Sequence, residues 1–173
     1  MIIDIITTGG ELMIPVISFI GHSGVGKTTL LEGLLPILKD RGLQVAVIKH
    51  HHQEFEIDRP GKDTWRFAQA GAAAVAISAP NKYALVRRLE RELTLEEIVS
   101  TLGQPDLIIT EGYKGADYPK IQVFRTGYAE KLLAPVNMLL AVVADYPLDL
   151  PVPVFRFDDL VGIVDFLVKY VKG

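Results

Sequence analysis

The stretch Gly21-His22-Ser23-Gly24-Val25-Gly26-Lys27-Thr28 matches the pattern G-x-x-x-x-G-K-[ST] at every defined position. An apolar run over residues 16–20 precedes it, and a helical pattern over residues 27–41 follows it. A strand, a Gly-rich turn and a helix in this order predict a loop whose N–H groups surround a phosphate. The predicted nucleotide-binding residues of this segment are Gly21, His22, Ser23, Gly24, Val25, Gly26, Lys27, Thr28 and Thr29.

Three side chains of this loop have distinct expected roles. Lys27 would reach the β- and γ-phosphates and act in catalysis, and the Thr28 hydroxyl would ligate Mg²⁺. Thr29 is positioned to contact the α-phosphate. Together they predict a nucleoside triphosphate bound with Mg²⁺.

The carboxylate that accompanies such a loop is predicted at the end of another apolar run. Residues 107–110 read as a strand, and Glu111 follows at its carboxyl end, where ligands collect in open α/β sheets. Asp106 lies at the opposite end and is expected to be a surface or cap residue. We therefore assign Glu111 a catalytic role and a place on Mg²⁺ or its coordinated water; an exposed loop glutamate is the alternative.

Beyond the loop, short apolar runs alternate with helical patterns, as in α/β proteins. The apolar runs have the character of strands buried on both faces and cover residues 16–20, 45–48, 73–77, 106–110 and 139–143. The helical patterns cover residues 27–41, 62–70, 94–102 and 158–172. This alternation predicts a three-layer fold of the P-loop NTPase type, with a mostly parallel sheet flanked by helices.

Several local patterns refine this picture. Residues 120–125 alternate polar and apolar side chains, which is typical of a half-exposed strand. Thr94 and Glu97 have the spacing of a capping box, and Asp158 is predicted as the N-cap of the last helix.

Composition excludes several classes of function. The chain has 173 residues, 49% of them hydrophobic, which is the size and balance of one globular domain. Eighteen Lys and Arg against 21 Asp and Glu give a net charge of −3, which argues against duplex nucleic acid as a partner. The absence of Cys removes disulfides and Cys-ligated metals and fits a reducing cytoplasm.

The start of the chain carries no targeting or membrane signal. Its apolar run is far shorter than the roughly 20 residues of a membrane helix, so we expect no membrane partner and a cytoplasmic location. Residues 1–12 are expected to be an extension of no assigned function, and residues 13–173 a single nucleotide-binding domain.

The residue that reads the base is less evident. The segment Asn81-Lys82-Tyr83-Ala84 resembles the guanine-binding motif N-K-x-D, but Ala84 replaces the Asp that accepts hydrogen bonds from guanine N1 and N2. Asp145, directly after the run at 139–143, is the better candidate. A turn-forming Asp is the alternative at that position.

Blocks from Met13 to the last helix carry a resemblance to a known family. They are the phosphate loop, Ile48-Lys49-His50 with His52, Asp58-x-Pro60-Gly61-Lys62-Asp63, Ala70-Gly71-Ala72, Glu111-Gly112-Tyr113-Lys114, Lys120-Ile121 with Phe124-Arg125, and Ala141 to Asp145 with Pro147. In this order they resemble the molybdopterin-guanine dinucleotide biosynthesis accessory protein B (MobB) family. Gln53 and Tyr113 depart from its usual His and Phe.

This resemblance implies a protein that binds GTP with Mg²⁺ and hydrolyses it weakly. It implies a role beside the molybdenum cofactor guanylyltransferase, which attaches GMP to molybdopterin. It also implies a homodimer joined by a β-extension, and molybdopterin or its guanine dinucleotide as a ligand.

Polar residues in the middle of the chain are further candidates. Lys49 and His50 end the second predicted strand and are expected to face the nucleotide cleft or an anionic ligand. Asp58, on the acidic face of an extended segment, is a candidate Mg²⁺ ligand with Asp63 behind it; a solvated acidic face is the alternative. A metal site at His50-His51-His52 is disfavoured, because adjacent residues alternate faces on an extended chain.

Scattered cations leave a choice open. Lys62, Lys114, Lys120 and Arg125 could bind the phosphate of molybdopterin or be ordinary surface cations.

Three other functions compete with a GTPase. A small-molecule or nucleotide kinase needs a lid with several arginines, but Arg87, Arg88 and Arg91 stand among glutamates, as on a solvated face. A non-catalytic module would bind the molybdenum cofactor with GTP as a structural ligand. A nickel-type metallochaperone needs N-K-x-D and a Cys or His site, which the sequence does not supply clearly. No arginine finger is evident, so slow basal hydrolysis is expected.

Overall fold

The computed structural model of the chain describes residues 5–8, 11–51, 53–129 and 131–173. They belong to two compact units, one formed by Met1–His50 with Val99–Gly173 and the other by His51–Ile98. The strands are β1 (Ile5–Thr8), β2 (Glu11–Ile20), β3 (Val45–Lys49), β4 (Ala74–Ala79), β5 (Lys82–Arg87), β6 (Leu107–Glu111), β7 (Lys120–Val123), β8 (Leu139–Val143) and β9 (Val154–Phe155). The helices are α1 (Lys27–Asp40), α2 (Asp63–Gln69), α3 (Leu95–Val99) and α4 (Leu160–Lys172). Within these stretches, no helix is long and apolar enough to cross a membrane.

The first unit is built on a parallel sheet with the strand order β3-β6-β2-β7-β8-β9. β2 lies inside the sheet, hydrogen-bonded to β6 on one side and to β7 on the other. The β1 strand pairs antiparallel with the beginning of β2, so part of the predicted 1–12 extension joins the sheet. The predicted α/β architecture with a mostly parallel sheet is confirmed.

Apolar side chains alternate between two clusters on the faces of this sheet. α1 and α4 pack together on the first face, where Phe19 of β2 meets Leu34 and Leu167 in the main core. Ile20, the next residue along β2, belongs to a second cluster with Val142. Because successive strand residues point to opposite faces, β2 is buried on both sides, as its continuous apolar run predicts.

The last helix begins one residue later than its predicted cap requires. Asp159 is the N-cap of α4, and its side chain accepts a hydrogen bond from the Gly162 N–H at 3.0 Å. Asp158 pairs instead with Arg156, at 3.2 Å from its Nε. The prediction of Asp158 as the cap is therefore wrong, because either of two adjacent aspartates satisfies the sequence signal.

β7 is buried on both faces, so the prediction of a half-exposed strand is wrong. The exposed fraction is 2% for Lys120 and 1% for Gln122. Lys120 Nζ donates to the carbonyl oxygens of Ala116 and Tyr118, and Lys120 is not a surface cation. Gln122 donates to the carbonyl of Lys131 at 3.0 Å and accepts from the Leu133 N–H at 2.8 Å. These bonds allow polar residues to stand in a central strand.

In the second unit, β4 and β5 form an antiparallel hairpin, with α2 packed on β4. The prediction that residues 73–77 form a strand buried on both faces is wrong, because this strand pairs with its neighbour in sequence. Ile77 is 58% exposed and Tyr83 on β5 is 72% exposed. The Asn81-Lys82 pair that resembles a guanine motif lies at the tip of this hairpin.

The capping box before α3 is confirmed. The Thr94 N–H donates to Glu97 Oε2 at 2.8 Å, and the Glu97 N–H donates to Thr94 Oγ1 at 3.3 Å. α3 ends at Val99, earlier than the predicted end at residue 102.

Candidate nucleotide-binding site

The phosphate loop leaves β2 at Gly21 and enters α1 at Lys27. A β-carbon at Gly21 would lie 2.7 Å from the carbonyl oxygen of Val123 in β7, so no larger residue fits there. Gly26 is the N-cap of α1 and has φ 97°, a conformation that side chains with a β-carbon rarely adopt. These two glycines therefore fix the path of the loop, as the motif predicts.

Lys27 folds back over the loop. Its Nζ donates to the carbonyl oxygens of Gly21 at 3.2 Å and His22 at 2.9 Å. Burial lowers the pKa of Lys27, the nearby Glu111 carboxylate opposes this, and two further lysines add to the lowering. A phosphate bound at the loop would favour the charged ammonium, so the geometry suits an anionic ligand.

Thr28 and Glu111 meet although they come from different parts of the chain. The Thr28 hydroxyl donates to both carboxylate oxygens of Glu111, at 3.2 and 3.1 Å. Glu111 reaches this place because β6 pairs with β2 and ends beside the loop. A hydroxyl and a carboxylate are oxygen donors of the kind that Mg²⁺ accepts, with the remaining positions filled by phosphate and water. These two residues therefore fit a nucleotide-bound Mg²⁺.

The predicted residues at the end of β3 lie next to Glu111. Lys49 Nζ is 3.8 Å from Glu111 Oε2, and the His50 N–H donates to the Glu111 carbonyl at 2.9 Å. The His50 ring stacks on Tyr113, with 4.4 Å between ring centroids. The structure thus brings Lys49, His50 and Glu111 together, while their contact with a ligand stays a prediction.

Asp145 lies directly after β8 and holds a turn that follows β7. Its Oδ1 accepts from the Thr126 N–H at 2.8 Å and from the Thr126 hydroxyl at 3.1 Å. Its Oδ2 is 3.9 Å from Arg125 Nε. Asp145 therefore has a structural task in the part of the protein described here, and its predicted contact with guanine stays a prediction.

From the sequence alone, Arg125 is predicted to be either a surface cation or a ligand of the molybdopterin phosphate. In the structure its guanidinium carbon lies 4.6 Å from the centre of the Phe157 ring. A β-carbon at Gly26 would lie 3.5 Å from both Arg125 Nη1 and Phe157 Cε1. The pair borders the phosphate loop. The sequence predicts Arg125 inside a strand over residues 120–125, whereas β7 ends at Val123 and leaves Arg125 just beyond its carboxyl end.

Two further metal predictions concern Asp58 and the run His50-His51-His52. Asp58 belongs to the second unit, where its Oδ1 accepts from the Thr64 hydroxyl at 3.1 Å, and its role on Mg²⁺ stays a prediction. In the run His50-His51-His52, His52 lies outside the described residues, and His51 Nδ1 is 3.0 Å from the Gln53 carbonyl oxygen. Across the described ranges, no group of three or more His, Asp or Glu side chains could hold a metal ion.

The chain is similar to proteins of molybdopterin guanine dinucleotide synthesis. The family of molybdopterin guanine dinucleotide synthesis protein B (MobB) matches residues 16–145. A molybdopterin-guanine dinucleotide biosynthesis adapter protein of Escherichia coli K12 is 37% identical over 169 residues, spanning 94% of this chain and 97% of that protein. The adapter protein of Haemophilus influenzae is 33% identical over 156 residues, spanning 89% of this chain and 88% of that protein.

Solved structures lead to the same family. A crystal structure of molybdopterin-guanine biosynthesis protein B has a TM-score of 0.69 at 33% identity, covering 89% of this chain and 98% of that chain. The structure of Bacillus subtilis MobB has a TM-score of 0.72 at 27% identity, covering 92% and 99%. The chain belongs to the MobB family, and the resemblance inferred from its motifs is confirmed.

Proposed function

We propose that this member of the MobB family is a GTP-binding, slowly GTP-hydrolysing adapter in the biosynthesis of molybdopterin guanine dinucleotide. The observation that carries the proposal is the contact of Thr28 with Glu111 beside a complete phosphate loop. That contact supports the proposal because a hydroxyl and a carboxylate beside the phosphate loop are the oxygen donors that a nucleotide-bound Mg²⁺ would need. The names of the relatives supply the pathway.

In this proposal the residues of the loop share the work of binding. The loop N–H groups and the N-terminal end of α1 attract the phosphates. Lys27 exchanges its two backbone acceptors for phosphate oxygens and neutralises negative charge. Thr28 and Glu111 would hold Mg²⁺, which would supply positive charge against the phosphate oxygens.

Hydrolysis is expected to be slow. The cations beside Glu111 are Lys27 and Lys49, and neither supplies the planar fork of an arginine. Arg125 follows β7, on the other side of β2, where it contacts Phe157. An arginine finger raises the rate of such reactions by about 10³- to 10⁵-fold, so the bound GTP would be hydrolysed slowly in the absence of a partner that supplies one.

The proposed partner is the guanylyltransferase that joins GMP to molybdopterin, and the proposed location is the cytoplasm. Lys49 and His50, beside Glu111, are proposed to face an anionic ligand. The nucleotide, molybdopterin and its guanine dinucleotide are the candidates for that ligand. An adapter of this kind would hold the nucleotide and the transferase together.

The hairpin β4–β5 is the proposed β-extension of a homodimer. Leu85 is 57% exposed, in addition to Ile77 and Tyr83, so both strands present apolar side chains. A two-stranded hairpin is only marginally stable by itself. Pairing with a second copy of the chain would cover these side chains and satisfy the strand edges.

The test compares wild type with Lys27→Ala and with Lys39→Ala, an exposed lysine of the same helix. GTP binding is measured by calorimetry, and GMP transfer to molybdopterin is measured with the guanylyltransferase present. We expect Lys27→Ala to lose GTP binding and the stimulation of transfer, and Lys39→Ala to keep both.

Two other outcomes would favour the rival functions. If Lys27→Ala no longer hydrolyses GTP but still binds it and still stimulates transfer, the protein is a non-catalytic binding module with GTP as a structural ligand. If the wild-type protein phosphorylates a member of a nucleoside panel, the kinase function replaces the GTPase.

A further inference from the structure

Arg125, Asp145 and Phe157 converge at the carboxyl ends of three neighbouring strands, β7, β8 and β9. The guanidinium carbon of Arg125 lies over the Phe157 ring, 4.6 Å from the ring centroid. Asp145 Oδ2 lies 3.9 Å from Arg125 Nε. The guanidinium thus has an aromatic neighbour and an acidic neighbour, and the side chain remains 44% exposed. A guanidinium held in this way can donate hydrogen bonds to a ligand without first changing its position.

The turn that carries Arg125 packs against the phosphate loop. The Tyr128 N–H donates to the Arg125 carbonyl at 3.1 Å, and Asp145 holds Thr126 between them. A β-carbon at Gly24 would lie 2.8 Å from the Tyr128 hydroxyl. Arg125 therefore stands at a set distance from the loop, which a residue that reads a ligand requires.

The sheet order indicates which part of a nucleotide lies near Arg125. Glu111 ends β6, on one side of β2, and its contact with Thr28 marks the metal end of the site. Arg125 follows β7, on the other side of β2. A triphosphate whose terminal oxygens share a metal with Thr28 would direct its nucleoside away from Glu111, toward the ends of β7, β8 and β9.

We propose that Arg125 reads the guanine base through O6 and N7, supported by its contact with Phe157 and positioned by Asp145. This inference rests on the proposed function, since it assigns the base at that same site. Guanine presents two adjacent acceptors, O6 and N7, which match two donors of one guanidinium. Adenine presents a donor at N6 in place of O6, so the same fork cannot pair with it.

The inference gives Asp145 a different task from the one its sequence position predicts. Both Thr126 donors occupy Asp145 Oδ1, and the other oxygen faces Arg125. Asp145 is then a positioning residue, whereas the sequence predicts that it accepts hydrogen bonds from guanine N1 and N2. Inosine triphosphate, which lacks only the N2 amino group, separates the two roles.

The experiment measures the affinities of GTP, 7-deaza-GTP, ITP and ATP with Mg²⁺ by calorimetry. The variants are Arg125→Met and Arg125→Lys, with Arg156→Met as a control at an exposed arginine. For wild type we expect GTP and ITP to bind alike, and 7-deaza-GTP and ATP to bind about 10- to 100-fold more weakly. Arg125→Met should weaken GTP to the level of ATP and leave ATP unchanged. Arg125→Lys should keep part of the preference, and Arg156→Met all of it.

Other patterns would overturn the inference. Equal loss of GTP and ATP in Arg125→Met would show that this residue binds phosphate. A weak ITP together with a normal 7-deaza-GTP would return base recognition to Asp145. Wild-type binding that depends on Lys27 but not on the base refutes this inference and leaves the proposed phosphate site standing. No nucleotide binding at all would refute both. The ratio of GTP to 7-deaza-GTP affinity is measured within one variant, so a loss of stability does not alter its meaning.

Discussion

The Thr28 hydroxyl donates to both oxygens of the Glu111 carboxylate, at 3.2 and 3.1 Å, across 83 residues of chain. The contact exists because β2 and β6 are neighbours in the sheet, with Phe19 beside Glu111 in the register. Without a metal the hydroxyl donates hydrogen bonds to the carboxylate, and both groups carry oxygen atoms of the kind that would ligate a divalent cation.

Glu111→Gln keeps the size of this side chain and removes its charge. We expect the Mg²⁺ concentration needed for half-maximal GTP binding to rise by about 10- to 100-fold, because the amide is a poorer partner for the metal. The measurement is a Mg²⁺ titration at fixed GTP. Glu32→Gln, on an exposed position of α1, is the control. An unchanged Mg²⁺ requirement in Glu111→Gln would exclude this carboxylate from the metal site.

Asp159→Ala removes the cap of α4. The Gly162 N–H then loses its acceptor, and we expect the free energy of unfolding to fall by about 1 kcal/mol. Asp158→Ala, one residue earlier, removes only an exposed pair with Arg156 and is expected to cost close to zero. Urea denaturation measures the free energy of unfolding of both variants. Equal decreases in this free energy would mean that Asp159 does not act as the cap.

Glu97 offers a prediction in pH. The Arg91 side chain and the Thr94 N–H both donate to its carboxylate and lower the pKa of Glu97 to about 2, from an ordinary 4.5. Because the pKa is lower in the folded state, this carboxylate stabilises the fold above pH 4.5, and the contribution is lost as the pH falls toward 2.

Carboxyl carbon NMR is expected to show this residue titrating near pH 2. In Arg91→Met the Glu97 pKa should return most of the way to its ordinary value, because the largest cause of the shift is removed. Arg88→Met, an arginine that bonds instead to the Ala68 carbonyl, should leave the Glu97 pKa in place. A midpoint near 4.5 in the unaltered protein would disprove the pairing.

The hairpin predicts the oligomeric state. Leu85→Glu places a charge among the exposed apolar side chains of β4 and β5, so we expect a dimer to dissociate at least about tenfold more readily. Analytical ultracentrifugation over a concentration series gives the dissociation constant of the dimer. Val161→Glu, at a 53% exposed position of α4, introduces the same charge outside the hairpin. If both variants sediment as wild type does, the hairpin is not the dimer contact.

Local signals predicted those parts of the fold that depend on neighbouring residues. The phosphate loop, the order of strands and helices, and the Thr94 capping box all follow from residues within a few positions of each other. The choice of pairing partner for each strand decided the rest. Residues 73–77 look like a core strand, but the short turn at Pro80-Asn81 pairs them with β5 in a hairpin.

Some residues of the candidate site can likewise be predicted from local sequence, and others cannot. The motif predicts Lys27 and Thr28, and the end of an apolar run predicts Glu111. The relation between Arg125 and Phe157 depends on β7 and β9 being brought to the same edge, which no spacing in the sequence reveals. The burial of Lys120 has a related cause, because β7 lies between β2 and β8 in the sheet, while the carbonyls that accept its hydrogen bonds are only two and four residues away.

The central place of β2 has a consequence for amide exchange. Its residues from Val16 to Ile20 have no exposed surface, and its amides and carbonyls are tied to strands on both sides. The amide protons of such a strand exchange with solvent only when the whole unit opens. The phosphate loop is thus anchored in the slowest-exchanging part of the unit, while the turn holding Arg125 is anchored through side chains. Binding and release of a ligand can then open the turn around Arg125 repeatedly without opening the strand from which the phosphate loop extends.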